Sequence, residues 1–389
     1  MHSPVNIAIV GRIGHLSLNR PDSINAIDLE MMQALTDALD AWAEEPDVDA
    51  VLLDGVGDYG FCAGGDFREI LERAAEGMTI GTVFFRDEYR VIAKLAEYPK
   101  PVVSIMHGMT MGGGISLAGH ASTRVVTDRV KLGQPETGYG FAPDGGATWR
   151  LARTPGEIGT HIALNSIDLT APDAIALGFA DVMVPAERVA ELVAALVDPD
   201  DAAAPDEKVR RFSVEPGPSP VLARRDWIDA CYSADTVEAI LERLWAFSNG
   251  DEVEGLRAAD SDDPDAAADA AAAADTLLRL SPTALVATLR SVRAARDGED
   301  LRDALERELR LARWFTTHPD LFTGVQALVA QNTETLHQDS MPEWRPADLG
   351  AVDITDIVAA METPLRHSVF PRGLGIPEAE PESAATEDA

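Results

Sequence analysis

The chain has 389 residues, of which 66 are acidic and 32 are basic, so its formal net charge is −34. This charge argues against nucleic acid and against an anionic membrane surface, because both are bound mainly through Lys and Arg. The two cysteines, Cys62 and Cys231, are too few for a disulfide framework or a thiolate zinc site. No stretch reaches the ~18 apolar residues of a membrane span. We therefore expect a cytoplasmic protein without nucleic-acid or membrane partners.

The first half of the chain alternates short apolar runs with segments that have helical spacing. The predicted elements are a β-hairpin over 5–10 and 15–18, a helix over 27–43, a strand over 48–56, helices over 67–75 and 83–96, and a strand over 102–106. Strands that alternate with helices are typical of connected βα units. The sequence therefore predicts an α/β fold.

After Trp149 the pattern becomes mostly helical. Thr170 is a predicted N-cap, Gly178 ends the next helix, and Ser281 precedes another helix start. An acidic, alanine-rich linker is expected over 198–208. We expect three regions: an α/β core over 1–190, a helical C-terminal region over 191–365, and an acidic, unstructured tail over 366–389.

Two glycine-rich turns, Gly64-Gly65-Asp66 and Gly112-Gly113-Gly114, each lie between a predicted strand and a predicted helix. Glycine allows a backbone to approach a ligand closely, and the start of a helix has unpaired N–H groups. One such turn is equally well explained as a tight connection. Two turns with the same layout favour a function, because together they could supply two N–H donors to one carbonyl oxygen.

Longer motifs identify a family. The motifs are LNRPDSINAI at 18–27, FCAGGD at 61–66, FFRDEY at 84–89, HGMTMGGG at 107–114, QPETGYGFAPDGG at 134–146, CYSADTVEAILERL at 231–244, LSPTALVATLR at 280–290 and EWRPADL at 343–349. Through them the chain resembles the enoyl-CoA hydratase/isomerase, or crotonase, superfamily. Within that superfamily it is similar to the 3-hydroxyisobutyryl-CoA hydrolase branch.

The resemblance implies a spiral core of ββα repeats over 1–190, followed by the helical region. It places a thioester carbonyl between the backbone N–H groups of Gly65 and Gly113. Coenzyme A would lie along the loop after Arg20 and the segment 61–68, with Arg68 as a candidate phosphate ligand. An exposed helix position without a ligand explains Arg68 equally well. Coenzyme A is then part of the substrate, and neither a separate cofactor nor a metal is expected.

The resemblance also assigns roles to carboxylates. Hydratases of this superfamily use two glutamates, but Ser116 occupies the position of the first, so addition of water to a double bond is disfavoured. The hydrolase pattern matches Glu136 as nucleophile or general base, and Asp144 as the group that orients the substrate or assists proton transfer. It matches Glu88 as a substrate-binding residue. The alternative is that these acids are solvated surface charges.

The sequence thus predicts hydrolysis of a short 3-hydroxyacyl-CoA, with 3-hydroxyisobutyryl-CoA of valine breakdown as the best candidate. The alternatives are an enoyl-CoA hydratase or isomerase and a non-catalytic acyl-CoA binder. A monomer or small homo-oligomer is expected. The sequence departs from the family pattern in two places. Gln326 and the segment 331–341 bear on coenzyme A binding, and Tyr139 and Ala142 bear on the acyl pocket.

Overall fold

The computed structural model describes residues 3–70, 80–332, 342–365 and 368–370. The strands are β1 Val5–Val10, β2 Ile13–Leu18, β3 Ala50–Gly55, β4 Gly60–Cys62, β5 Val102–Met106, β6 Met109–Met111, β7 Thr123–Thr127, β8 Lys131–Gly133, β9 Asp168–Leu169 and β10 Val182–Val184. The first helices are α1 Leu29–Ala43, α2 Ile80–Ala96, α3 Gly113–Gly119, α4 Ala147–Leu151, α5 Ile158–Asn165 and α6 Ala171–Ala176. The helices that follow are α7 Val189–Val197, α8 Pro205–Arg210, α9 Arg225–Tyr232, α10 Val237–Ser248, α11 Ala266–Leu277, α12 Pro282–Arg296, α13 Leu301–Phe315, α14 Pro319–Asn332 and α15 Ile354–Glu362.

The strands form two mainly parallel sheets. The larger sheet has the order β1-β2-β3-β5-β7-β10, and the smaller sheet has the order β4-β6-β8-β9. Strands β3, β5 and β7 lie in the larger sheet, and the strand that follows each of them along the chain lies in the smaller sheet. Helical residues come next after β4 and β6. The repeated unit is therefore ββα, and the α/β spiral core is confirmed.

The N-terminal elements follow their local sequence closely. The hairpin of β1 and β2 is antiparallel, and its register pairs Val5 with Leu18. Helix α1 begins at Leu29, two residues later than predicted, because Asp28 is its N-cap and accepts the N–H of Met31 at 2.7 Å. The buried apolar residues of β3 and β5 belong to the two hydrophobic cores on either side of the larger sheet.

The helical region contains one clear difference from the prediction. The expected linker over 198–208 instead enters helix α8, in which Lys208 is buried. The ammonium group of Lys208 donates to the carbonyls of Leu196 and Asp198 at 3.3 Å each, and so caps the C-terminal end of α7. A buried lysine with these partners fixes the chain at this point, which its acidic and alanine-rich composition did not indicate.

The predicted helix boundaries nearby are confirmed. Thr170 forms a capping box with Asp173, whose carboxylate accepts the N–H of Thr170 at 3.0 Å. Gly178 follows helix α6 with a left-handed φ of 76°. Ser281 caps helix α12 and accepts the N–H of Ala284 at 3.1 Å. Across the part of the chain that is described, no helix is both long and apolar enough to cross a membrane.

The expected unstructured tail begins with an ordered contact. Val369 is fully buried, and the guanidinium of Arg90 on helix α2 donates to its carbonyl at 2.7 Å and to that of Ser368 at 3.2 Å. For residues 368–370 the expectation of an unstructured tail is therefore wrong, because Val369 and Phe370 bury apolar surface against the core. Residues 371–389, and the predicted helix beyond residue 70, lie outside the described residues.

Candidate active site

Three of the sequence motifs meet because they follow adjacent parallel strands. Strands β4, β6 and β8 are neighbours in the smaller sheet and run in the same direction. Gly65 follows β4, Gly113 follows β6 and Glu136 follows β8. The carboxyl ends of parallel strands lie at one edge of a sheet, which is where α/β proteins bind ligands. The structure therefore brings these three residues to one edge.

The two glycine turns lie directly against each other. Gly64 and Gly112 have φ values of 90° and 48°, in the left-handed range that favours glycine. A Cβ atom added to Gly64 would lie 3.4 Å from the backbone nitrogen of Gly113. Among the described residues, the N–H groups of Gly65 and Gly113 have no hydrogen-bond acceptor. Two unpaired N–H donors therefore lie at this edge of the sheet.

Two of the predicted acids flank the second glycine turn. A Cβ atom added to Gly113 would lie 2.3 Å from Oε1 of Glu88, and one added to Gly112 would lie 2.7 Å from Oε1 of Glu136. Glu88 comes from the middle of helix α2, whereas Glu136 begins a short 3-10 helix after β8. Because Gly112 and Gly113 are consecutive, both carboxyl groups lie beside the same short stretch of backbone. Neither position has room for a side chain.

Asp144 joins the same group through helix α2. The hydroxyl of Tyr89 donates to Oδ2 of Asp144, and Tyr89 is the residue next to Glu88. The hydroxyl of Ser116 donates to the backbone carbonyl of Asp144 at 2.9 Å. Ser116 therefore supports the loop that carries Asp144. Three acids from three different segments are brought together.

All three carboxyl groups are buried, and this determines their proton affinity. Glu136 is 1% exposed, Glu88 3% and Asp144 8%. Burial raises the pKa of Asp144 to about 8. Burial also raises the pKa values of Glu136 and Glu88 well above the usual range, and repulsion from Asp144 raises both further. Burial is therefore the larger cause and like-charge repulsion the smaller one. Acids with raised pKa values can exchange protons near neutral pH.

The carboxyl groups are bordered by an aromatic wall. Its members are Phe67, Phe84, Phe85, Tyr139, Phe141 and Phe315. Each ring has its centroid 4.9 to 6.2 Å from that of at least one other ring in the group. A Cβ atom added to Gly65 would lie 3.4 Å from the ring of Phe84. Such rings exclude water, and charge interactions are stronger where water is excluded. With its amide nitrogen oriented towards Glu136, Gln134 donates to that carboxylate at 2.9 Å.

The remaining residues selected from the sequence do not lie among the buried acids or are not reactive. Arg68 is exposed, three residues after Gly65. Burial raises the pKa of the Cys62 thiol to about 12, which leaves it without a nucleophilic thiolate at neutral pH. Gln326 is exposed on helix α14, and residues 333–341 lie outside the described residues. The described part of the chain holds no group of three or more His, Cys, Asp or Glu residues arranged to hold a metal ion.

Sequence reasoning missed two residues of the site. Tyr89 lies in the FFRDEY motif, and its place beside Glu88 was a usable signal. Glu308, on helix α13, accepts the N–H of Gly146 at 2.6 Å, although 162 residues separate the two. No local pattern marks Glu308, because it contacts the site only through the packing of the helical region.

The family model for enoyl-CoA hydratase/isomerase matches residues 13–361. The chain belongs to this family. The resemblance drawn from the motifs is thereby confirmed.

Curated relatives are named as hydrolases. The chain is 32% identical over 350 residues to the mitochondrial 3-hydroxyisobutyryl-CoA hydrolase of Danio rerio, covering 88% of this chain and 85% of the relative. It is 31% identical over 354 residues to the protein of the same name from Homo sapiens, covering 89% of this chain and 85% of the relative. These relatives confirm the predicted class of enzyme, an acyl-CoA thioester hydrolase.

Solved structures with the same fold are named for other reactions. A carnitinyl-CoA dehydratase from Mycobacterium thermoresistibile aligns with a TM-score of 0.84 and 37% identity, over 96% of this chain and all of that one. An enoyl-CoA hydratase from Rhodobacter sphaeroides aligns with a TM-score of 0.80 and 33% identity, over 95% of this chain and all of that one. The fold is therefore that of the crotonases, while the reactions named for its relatives differ.

Proposed function

We propose that this protein hydrolyses a short 3-hydroxyacyl-CoA thioester, with 3-hydroxyisobutyryl-CoA as the best candidate substrate. The products would be 3-hydroxyisobutyrate and coenzyme A, as in valine breakdown. The observation that carries the proposal is the burial of Glu136, Asp144 and Glu88 around two adjacent glycine turns. The hydrolase names of the curated relatives support the same reaction.

The chemistry begins at the two unpaired N–H groups. In the proposed reaction, the N–H groups of Gly65 and Gly113 bind the thioester carbonyl oxygen and stabilise the negative charge that forms on it. Glu136 then attacks the carbonyl carbon. The C–S bond breaks, the coenzyme A thiolate leaves and takes up a proton, and water opens the resulting anhydride. Alternatively, Glu136 removes a proton from water, which attacks directly. Both routes need the same two donors.

The other acids act on the substrate. Asp144 orients the 3-hydroxyl group or transfers a proton to the leaving thiolate, a role that suits its raised pKa of about 8. Glu88 binds the hydroxyl group beside Gly113. Arg68 is exposed near the Gly65 turn and is proposed to contact a phosphate of coenzyme A. Coenzyme A arrives as part of the substrate, and we propose no separate cofactor.

A second candidate is hydration or dehydration of an acyl-CoA, which the names of the two solved structures favour. That reaction needs one group to act on water and another to act on the α-carbon. Ser116 occupies the position of one family glutamate, and its hydroxyl is engaged with Asp144. We therefore rank hydrolysis first.

The test is release of free thiol from 3-hydroxyisobutyryl-, 3-hydroxypropionyl- and crotonyl-CoA, followed together with crotonyl absorbance. We expect thiol release from the hydroxyacyl substrates, and at least a ~100-fold loss of kcat in Glu136→Gln, since the reacting carboxylate is removed. Glu187→Gln, at an exposed position, is the matched control and should keep wild-type activity.

Two other results would contradict the proposal. A fall in crotonyl absorbance without thiol release would identify a hydratase. Tight binding of the acyl-CoA esters with neither reaction would identify a non-catalytic binder. We further propose that the protein is cytoplasmic, because two free, buried cysteines suit a reducing compartment. We also propose a monomer or small homo-oligomer. The animal relatives carry the word mitochondrial in their names.

A further inference from the structure

Helix α13 places one acidic side chain against the turn that carries Asp144. The carboxylate of Glu308 is 1% exposed and accepts the N–H of Gly146 at 2.6 Å and that of Thr148 at 3.1 Å. The hydroxyl of Thr148 donates to the same carboxylate. A buried charge is costly unless such partners compensate for lost hydration. These three donors therefore fix Glu308 and the turn relative to each other.

The backbone donors belong to the N-terminal end of helix α4. Its N-cap residue is Gly146, which has no side chain to accept a hydrogen bond from the first turn. Glu308 supplies, from another helix, the oxygen atoms that Ser, Asp or Asn would supply at an N-cap. Its negative charge also suits a helix N-terminus. Helix α4 has five residues and little stability of its own. The Glu308 contact therefore adds to the packing of Ala147 and Leu151 in holding its N-terminal end in place.

Asp144 is held to the same turn. The N–H of Ala147 donates to the carbonyl of Asp144 at 3.1 Å. Gly145 and Gly146, which lie between them, have left-handed φ values of 63° and 85°. A Cβ atom added to Gly145 would lie 2.9 Å from Cβ of Ser116. The backbone at Asp144 is thus confined between helices α3 and α4, and it follows any movement of α4.

A second buried side chain of α13 supports the contact. Arg307 is 3% exposed, and its guanidinium donates to Oγ1 of Thr148 at 3.1 Å. This orients the Thr148 hydroxyl so that it donates to Glu308. Arg307 is itself paired with Glu299 at 2.7 Å. Burial raises the pKa of Glu308, whereas Arg307 and the three hydrogen-bond donors lower it. Because three donors point at its oxygen atoms, the contact binds the ionised form of Glu308, which brings negative charge next to the turn.

We propose that Glu308 is a positioning residue for the hydrolysis: its carboxylate caps helix α4, fixes the turn that carries Asp144 and places a negative charge beside it. The proposal rests on the function proposed above for Asp144. Glu308 contacts backbone and Thr148, and it acts on the substrate only through Asp144. The C-terminal helical region thereby becomes part of the catalytic apparatus.

The charge has a consequence for pH dependence. The ionisable groups that face Asp144 are Tyr89 and Glu88 from helix α2, Glu136 and Tyr139 from the 3-10 helix, and Glu308 from helix α13. His120, next to Gly146, is kept neutral because burial and Arg150 lower its pKa. Burial raises the pKa of Asp144, the Tyr89 hydrogen bond lowers it and Glu308 raises it further. Removal of the Glu308 charge should therefore lower the pKa of Asp144.

The first variant is Glu308→Gln, which keeps the size of the side chain but replaces one acceptor with an NH2 group. We expect kcat to fall about 10- to 100-fold, because small displacements of a positioned group have effects of this size, with KM changed less than about twofold. The Asp144 ionisation in the pH–rate profile should move to lower pH. Amide hydrogen exchange over residues 144–150 should become faster. Glu306, on the same helix, accepts the N–H of Val369 at 2.9 Å. The control variant Glu306→Gln should change neither kcat, nor the pH–rate profile, nor the exchange over residues 144–150.

If Glu308→Gln does not fold, as judged by circular dichroism, Thr148 gives a milder test. Thr148→Val removes the hydroxyl that links Arg307 to Glu308 and should lower kcat about three- to tenfold. Thr148→Ser keeps the hydroxyl and should retain wild-type values. A folded Glu308→Gln enzyme with wild-type kcat, pH profile and exchange would overturn the inference. Fast exchange in Glu308→Gln, combined with full activity of Asp144→Asn, would instead overturn the proposed role of Asp144 and leave the capping contact intact.

Discussion

A single methyl group at Gly113 should separate catalysis from stability. In Gly113→Ala the new Cβ would lie 2.3 Å from Oε1 of Glu88. Ordinary van der Waals contact requires about 1 Å more, so the Glu88 carboxyl group must withdraw by about that distance. The backbone N–H of residue 113 remains. The substitution therefore displaces one carboxyl group while it keeps the proposed oxyanion donor.

The expected effects follow from what has to move. The displaced atom is the end of a flexible side chain, so the free energy of unfolding should fall by only about 1 kcal/mol, at the low end for overpacking. A misplacement of about 1 Å in an active site is sufficient for a roughly 100-fold loss of rate. We expect kcat for thiol release to fall by that order. Gly114→Ala differs, because its Cβ would lie 2.7 Å from the backbone oxygen of Cys62 and should cost about 3 kcal/mol.

The assay is thiol release together with urea unfolding for both variants. Gly350→Ala is the control, since a Cβ atom there would have no neighbour within 4 Å. The double variant Gly113→Ala/Glu88→Asp, in which the carboxyl group sits one methylene further back, should recover part of the lost stability. Wild-type kcat in a folded Gly113→Ala protein would refute the reasoning, because it would show that the position of the Glu88 carboxyl group does not matter.

Two further predictions concern protons at Asp144. Tyr89→Phe removes the hydroxyl whose hydrogen bond lowers the pKa of Asp144. The Asp144 ionisation in the pH–rate profile should therefore move to higher pH, opposite to the shift expected for Glu308→Gln. A shift to lower pH would contradict this prediction. The pKa of Asp144 is about 8 in the folded protein, against an ordinary value of 3.8. The contribution of this group to stability is therefore present at low pH and is lost as the pH rises through about 8. Asp144→Asn removes this dependence of stability on pH. The free energy of unfolding of the variant minus that of the wild type should therefore rise between pH 5 and pH 8 in urea titrations. A difference that does not change with pH would contradict the raised pKa of Asp144.

Much of the chain could be predicted from local sequence. The hairpin, helix α1, the capping box at Thr170 and the cap at Ser281 depend on turn residues, caps and apolar spacing within a few positions. The glycine turns were also readable, because left-handed backbone at Gly64 and Gly112 needs glycine wherever the turn lies in the fold. The motifs around them led to the family, which the family model confirms.

Other features depend on segments that are far apart in the chain. The residues after β4, β6 and β8 meet only because these strands become neighbours in one sheet. Burial, which is the main cause of the raised pKa values of the acids, is a property of the packed core and has no local signal. The contact of Glu308 with Gly146 spans 162 residues. Sequence by itself determined the local backbone and the chemical groups available, because these depend on short-range interactions. Only the tertiary structure decided which groups meet and how far water is excluded from them, because both depend on how distant segments pack.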